Sequence, residues 1–132
     1  MELKDKKKLG IDKKRLTNSF KFAFMGIVQA YKGEQNLKIH TVMAILVIVC
    51  GFIFKITYSE WLACLILIGL VLMAEFFNTA IEYTVDLASP EIHPLAKSAK
   101  DTASAGVLMM AIIAAVIGLI IFVPKFIIFI GL

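Results

Sequence analysis

Three long runs of apolar residues dominate the sequence, and each predicts a helix that crosses a membrane. The runs correspond to spans at about residues 36–55, 60–87 and 103–123, because a helix needs about 20 mostly apolar residues to cross the hydrocarbon core. The segment 55–60, KITYSE, predicts a tight turn between the first two spans. The polar segment 88–102 contains two prolines and therefore predicts a loop without a continuous helix.

The third span is expected to end at Val123, because Pro124 and Lys125 follow it and mark the outer face. Residues 126–132 are apolar but too few to cross the membrane again. The pattern therefore predicts an all-α integral membrane protein with three transmembrane helices. Its amino terminus would lie inside the cell and its carboxyl terminus outside.

The segment before the first span has a different pattern. Residues 1–10 form a lysine-rich tail for which the sequence indicates no chemistry. Residues 11–33 repeat apolar side chains at three- and four-residue spacing with basic side chains between them, which is typical of an amphipathic helix in the membrane interface. The apolar positions are Leu16, Phe20, Ala23, Phe24, Ile27 and Tyr31. We treat residues 11–132 as a single membrane domain.

Composition supports the membrane class. Of the 132 residues, 60% are hydrophobic and 18% are charged, whereas about 25% of residues are charged in soluble domains. Residues 1–38 contain ten basic and four acidic side chains, which predicts a cytoplasmic amino terminus. The adjoining spans argue against nucleic acid as the partner of this basic segment. Cys50 and Cys64 lie in separate apolar runs and are interpreted as buried small hydrophobic residues.

The end of the second apolar run contains the strongest candidate chemistry. Residues 74–86 read AEFFNTAIEYTVD and include Glu75, Asn78, Glu82 and Asp86. At about 100° per residue, these four side chains project within roughly a 100° arc of one another. A charge facing lipid at mid-depth costs about 3 kcal/mol or more. This polar stripe must therefore line a protein-walled or watery site.

Three helices enclose little, so we expect neighbouring copies of the chain to complete the wall around the stripe. The small residues Ala103, Ala105 and Gly106 permit close helix contact and, with the amphipathic helix, are candidates for that interface. The alternative is a helix end that emerges into the cytoplasm with ordinary solvated acids. Glu75 argues against it, because this residue still lies inside the apolar run.

Further polar side chains fall on the predicted cytoplasmic side. Glu34 and Glu82, on two different helices, would suit Mg²⁺ with attached phosphates, and Lys100 and Arg15 could balance phosphate charge. A carboxylate apart from the metal pair could accept a hydroxyl proton during phosphoryl transfer. The sequence contains no Walker loop, kinase catalytic loop or dinucleotide fingerprint. Spacing alone therefore leaves an enzyme and an ion- or proton-coupled transporter as comparable hypotheses.

Two blocks of sequence resemble the prokaryotic diacylglycerol kinase family of small three-span membrane lipid kinases. The first block is AEFFNTAIEYTVD, and the second is HPLAKSAKDTASAGVLM. Glu34, followed by Asn36 and His40, completes the pattern. The resemblance covers about residues 15–123.

The resemblance implies a homotrimer that uses magnesium and transfers the γ-phosphoryl group of ATP to a lipid alcohol. It also implies a multi-pass protein of a bacterial plasma membrane, with the active site on the cytoplasmic side. Glu75 matches the catalytic base, and Glu34 and Glu82 match ligands of the metal and the nucleotide. The other matching positions, which support the site or approach the nucleotide, are Arg15, Asn78, Asp86, His93, Lys100 and Asp101.

Some of these positions keep a structural alternative. Asp86 could cap its helix or pair with Lys100, and Ser104 could serve close packing alone. Phe22 is a departure from the family pattern, because many relatives carry a tyrosine there, so any hydroxyl contact to the nucleotide is absent.

The segment GEQNLKIHT indicates which lipid is phosphorylated. Asn36 and His40 match the Gram-positive type of the family, which resembles undecaprenol kinases, whereas the enterobacterial type has a glutamate in this segment. The resemblance therefore favours undecaprenol over diacylglycerol. The physical distinction is weak, because both lipids present a primary alcohol beside an apolar tail.

Overall fold

The computed structural model describes residues 12–131, which form four α-helices and no strand. The helices are α1 (Lys13–Gly33), α2 (Gln35–Ile53), α3 (Tyr58–Ala88) and α4 (Pro94–Phe129). The chain divides into two units between Gly33 and Glu34, and each unit is described by itself. The predicted grouping of residues 11–132 into one domain stays a prediction.

The first unit contains α1, which confirms the predicted helix over Lys13–Gly33. Asp12 caps its amino-terminal end, because the Asp12 Oδ1 atom accepts hydrogen bonds from the backbone N–H groups of Lys14 at 3.0 Å and Arg15 at 3.3 Å. The apolar side chain of Phe20 is exposed on this helix, as its amphipathic pattern requires. The predicted position of α1 in the membrane interface stays a prediction. The lysine-rich tail and Ile11 lie outside the described residues.

The second unit contains α2, α3 and α4, and each of these helices is long and apolar enough to cross a membrane. The prediction of three spans is confirmed. α3 packs against both α2 and α4, and its contact with α4 is the more extensive. The central helix of the unit is therefore the one that contains the polar stripe.

The connection between α2 and α3 is the tight turn expected from the sequence. Lys55 has a φ of 49°, and the Ile56 N–H donates to the Gly51 carbonyl at 3.1 Å, which closes α2 with a left-handed cap. Thr57 then begins α3 with a capping box, because its hydroxyl accepts from the Glu60 N–H while the Glu60 carboxylate accepts from the Thr57 N–H. α3 begins at Tyr58, two residues before the predicted span.

The predicted loop at residues 88–102 is wrong over most of its length, because α4 begins at Pro94. Proline suits the first turn of a helix, where its missing N–H has no intrahelical partner. His93 caps this end, since its Nδ1 atom accepts from the Leu95 N–H at 3.2 Å. Only a short connection, 89–93, separates α3 from α4.

α4 does not end at Val123, the predicted end of the third span, but continues through Pro124 to Phe129. Proline inside a helix removes one hydrogen bond, but transmembrane helices tolerate this where neighbouring groups satisfy the freed carbonyl. Phe126 and Phe129 lie beyond the proline, and both rings contact Phe54 at the end of α2, with centroids 6.4 and 5.5 Å apart. Packing therefore supports the extra helical turns.

A small core closes the end of the bundle near the α2–α3 turn. Ile56, Cys64 and Ile121 are buried together there. The Lys125 Nζ atom lies 3.1 Å from the Glu60 Oε2 atom and joins the end of α4 to the start of α3. Cys64 is a free, buried thiol, as the sequence predicts, and Cys50 is free and half-buried. The polar stripe lies near the opposite end of α3.

Candidate active site

Glu75 is the most buried charged side chain among the described residues, with 1% of its surface exposed. It lies on α3 between buried neighbours, and the Thr79 hydroxyl donates to the Glu75 backbone carbonyl at 2.9 Å. Its Oε1 atom is buried and has no aligned hydrogen-bond donor. The Nε2 atom of His40, on α2, is 3.2 Å from that oxygen. That distance allows an ion pair when the imidazole is protonated, although the alignment is not that of a hydrogen bond.

Asn78 and Glu82 continue the stripe along α3. The Asn78 Nδ2 atom donates to the Glu82 Oε1 atom at 3.0 Å, and Asn78 is 6% exposed. The Asn78 Oδ1 atom is buried and has no hydrogen-bond partner in the described chain. Exposure increases along the stripe, from buried Glu75 through half-buried Glu82 to exposed Asp86. The stripe therefore passes from the protein interior to the surface within three helical turns.

The burial of Glu75 and Asn78 corrects one expectation from the sequence. We expected neighbouring copies of the chain to shield the stripe, but a single chain already covers both side chains. The reason is that α3 packs against two helices, so that its polar face points into the bundle near α2. Shielding of Glu75 and Asn78 is therefore no argument for oligomerisation.

Glu34 reaches the same region from α2. It is the N-cap residue of that helix, but its side chain makes no capping hydrogen bond and is half-buried. Glu34 and Glu82 both lie within electrostatic range of the Glu75 carboxylate. Two helices thus bring three carboxylates into one region.

The donor atoms of this region fit a magnesium ion with attached phosphates. They are carboxylate oxygens from Glu34 and Glu82 and the unpartnered, buried amide oxygen of Asn78. Among residues 12–131, no three His, Cys, Asp or Glu side chains form a metal-binding cluster. Mg²⁺ is commonly held by one or two carboxylates together with substrate phosphates.

Two ion pairs stand at the polar end of α3 and α4. The Lys100 Nζ atom is 2.5 Å from the Asp86 Oδ1 atom, so the pairing considered from the sequence is present. The Lys97 Nζ atom is 2.5 Å from the Asp101 Oδ2 atom one turn along α4. The Lys97–Asp101 pair is exposed, whereas Lys100 is 35% exposed and Asp86 63% exposed. Ion pairs in contact with water contribute little to stability. Their charges therefore remain accessible to a soluble anion.

The side chains of the remaining predicted residues described next are exposed. His93 is exposed in the connection before α4, where its ring caps that helix. Ser104 is exposed on α4. Arg15 and Phe22 are exposed on α1, which belongs to the other unit.

His40 is a site residue that the sequence analysis missed. It was used there to assign the chain to the Gram-positive type of the family and was not named as part of the site. Its ring contacts Glu75 and also lines a groove of about 560 Å³ between α2, α3 and α4. Apart from two cysteines, the other described residues that line the groove are apolar. A histidine within a predicted span was the available signal, because ionisable residues in transmembrane helices are rare and mark functional sites.

Comparison with known proteins shows which family the chain resembles. Residues 21–122 match the model of the prokaryotic diacylglycerol kinase family. The chain is 43% identical to an undecaprenol kinase of Bacillus subtilis over 111 residues, which cover 84% of this chain and 90% of the relative. It is 35% identical to a diacylglycerol kinase of Synechocystis over 76% of this chain and 58% of the relative. A diacylglycerol kinase of Pseudomonas aeruginosa is 34% identical over 70% of this chain and 75% of the relative.

Replacement of one lysine at each end of the bundle would distinguish a role in folding stability from a role in ATP binding. Lys100→Ala and Lys125→Ala each break one ion pair, so each should lower the thermal unfolding midpoint. Only Lys100→Ala should weaken ATP binding, by about tenfold, because a charge-assisted contact to phosphate would be lost. Thermal unfolding and ATP titration in one detergent would check both. Equal ATP affinity in the two variants would assign Lys100 to its ion pair alone.

Proposed function

The chain belongs to the prokaryotic diacylglycerol kinase family and is therefore a membrane lipid kinase with ATP as phosphoryl donor, and we propose that its lipid substrate is undecaprenol. The observation that supports this substrate is the 43% identity to an undecaprenol kinase over 90% of that protein's length. Asn36 and His40, the two residues that match the Gram-positive type, point to the same lipid. The product would be undecaprenyl phosphate.

Glu75 is the proposed catalytic base. A base must accept the proton of the lipid hydroxyl while the hydroxyl oxygen attacks the γ-phosphorus. The new oxygen–phosphorus bond forms as the bond between the γ-phosphorus and the bridging oxygen breaks, and ADP leaves with that electron pair. Glu75 suits this role, because its carboxylate is shielded from bulk water.

Magnesium is the proposed metal, with Glu34 and Glu82 as its protein ligands. When bound, the ion would neutralise phosphate charge and orient the γ-phosphoryl group. Asn78 would fix the Glu82 carboxylate through its 3.0 Å hydrogen bond. Lys100, with Asp86 beside it, would meet the nucleotide phosphates at the exposed end of α3. We extend the nucleotide site to Arg15, His93 and Asp101 on the family resemblance.

The proposed orientation has the amino terminus and the active site on the cytoplasmic side of a bacterial plasma membrane. The excess of basic residues before the first span supports it, as does the need for ATP at the exposed end of the stripe. We also propose a homotrimer, as the family resemblance implies. This assembly is not needed to shield Glu75, so the proposal depends on the resemblance alone.

Diacylglycerol is the alternative substrate, because two of the relatives described above are diacylglycerol kinases at 34–35% identity. A choice between the lipids requires a direct comparison. Purified protein in one bilayer composition, with ATP and magnesium, should phosphorylate undecaprenol with a higher kcat/KM than 1,2-diacylglycerol. A preference for diacylglycerol would overturn the proposed substrate. Phosphorylation of neither lipid, together with proton-coupled flux in vesicles, would instead favour the transporter hypothesis.

Replacement of the proposed base should slow the chemical step. Glu75→Gln keeps the size of the side chain but removes its basicity, so turnover should fall by about 10²–10⁴-fold. The affinity for ATP with magnesium should change little. Glu91→Gln is the matched control, since it removes an exposed carboxylate in the α3–α4 connection and should retain wild-type turnover. A Glu75→Gln variant with more than half of wild-type turnover would disprove the assignment.

Loss of either proposed metal ligand should raise the magnesium requirement. Glu34→Ala and Glu82→Ala should each increase the magnesium concentration needed for half-maximal activity. Because both side chains would bind one ion, the effects of the double variant should be far from additive. Magnesium titrations of lipid phosphorylation would measure this. Small, additive effects would identify the two residues as ordinary solvated acids near helix ends.

A further inference from the structure

One contact in the site has no role in the reaction as described so far. His40 approaches Glu75 from a neighbouring helix, with 3.2 Å between the imidazole Nε2 atom and the carboxylate Oε1 atom. The imidazole is 24% exposed and the carboxylate 1% exposed. A histidine near the start of a membrane span is therefore turned inward onto the most buried charge of the described chain.

A buried carboxylate needs compensation from its surroundings. Removal of a carboxylate from water is costly unless a donor or a positive charge faces it. The charged groups that act on Glu75 are Glu34, Glu82 and His40, and the first two are carboxylates that repel it. Among these groups, His40 is the one that can donate an N–H or supply positive charge to the Oε1 atom.

His40 also stands where the apolar groove meets the carboxylate. The groove of about 560 Å³ is lined by α2, α3 and α4, and His40 is its polar end. An alcohol with a long apolar tail would reach Glu75 at the boundary between apolar and polar walls. The orientation of the carboxylate at this boundary decides whether it faces the hydroxyl proton.

We propose that His40 is a positioning residue, which holds the Oε1 atom of Glu75 so that the carboxylate is oriented for proton transfer from the lipid hydroxyl. The proposal depends on the proposed function, because it presupposes that Glu75 is the base of the kinase reaction. His40 exchanges no atom with the substrate. Its Nε2 atom lies 3.2 Å from the Glu75 Oε1 atom, and an N–H on that nitrogen would hold the carboxylate in place.

Two replacements of His40 distinguish positioning from simple packing. His40→Leu fills the space without a donor, and it should lower kcat by about 10–100-fold, the loss expected from a hydrogen bond to a charged group. The KM for ATP with magnesium should change less than twofold. His40→Gln retains an N–H and should restore most of the lost kcat. Val42→Ala, also on α2 but outside the groove lining, should behave as wild type.

A double variant tests whether His40 acts through Glu75. When Glu75→Gln has removed the base, the further change His40→Leu should lower kcat less than twofold, because the two residues act as one unit. Independent, multiplicative losses would overturn the proposal, as would a His40→Leu enzyme with more than half of wild-type kcat. Failure of His40→Gln to recover activity above His40→Leu would overturn it too. If His40→Leu does not fold, His40→Asn replaces it, since that shorter amide falls short of the carboxylate.

The outcomes also separate this proposal from the proposed function. If the wild type prefers diacylglycerol, the proposal of undecaprenol as substrate fails. The His40 variants are then assayed with diacylglycerol as the lipid substrate. If Glu75→Gln is fully active, the base assignment fails, and positioning by His40 fails with it. If Glu75→Gln is inactive but His40→Leu is active, the positioning role alone is wrong.

Discussion

The cost of removing a carboxylate from water is the constraint on which the arrangement of this bundle depends. Glu75 is almost wholly buried in a helix that is long and apolar enough to cross a membrane. Such a charge is tolerated only where protein groups replace the water that it has lost. The central position of α3, with helices packed against two of its sides, provides that surrounding. The His40 Nε2 atom, on α2, lies 3.2 Å from the Glu75 Oε1 atom.

The two ends of the three-helix unit are built from different chemistry. At the end near the α2–α3 turn, Phe54 packs among aromatic rings of α4, and Glu60 pairs with Lys125. These contacts fix the relative positions of the helices without any group suited to catalysis. The opposite end contains the carboxylates, Asn78 and two lysines in ion pairs, Lys97 and Lys100. The aromatic packing and the candidate site therefore lie at opposite ends of the bundle.

The candidate site of this small lipid kinase is built mainly from side chains on three helices. Soluble kinases hold nucleotide phosphates in glycine-rich loops, and the sequence contains no such loop. Here the candidate groups lie on helices, where the backbone is rigid and side-chain spacing follows from the helical repeat. The stripe Glu75–Asn78–Glu82 passes from the interior toward the surface. A lipid alcohol from the membrane and a nucleotide from water could therefore approach the same stripe from opposite sides.

The sequence by itself determined the three spans, the amphipathic helix and the polar stripe, because hydrophobic periodicity and helical spacing are local properties. Family resemblance added the reaction, which no spacing rule could supply. The start of α4 at Pro94 was missed, since a proline that breaks one helix also suits the first turn of the next. Only the tertiary structure decided that one chain buries Glu75 and that His40 contacts it. Both facts depend on the rotation and register of α2 against α3, which are set by packing between helices and not by the pattern along either of them.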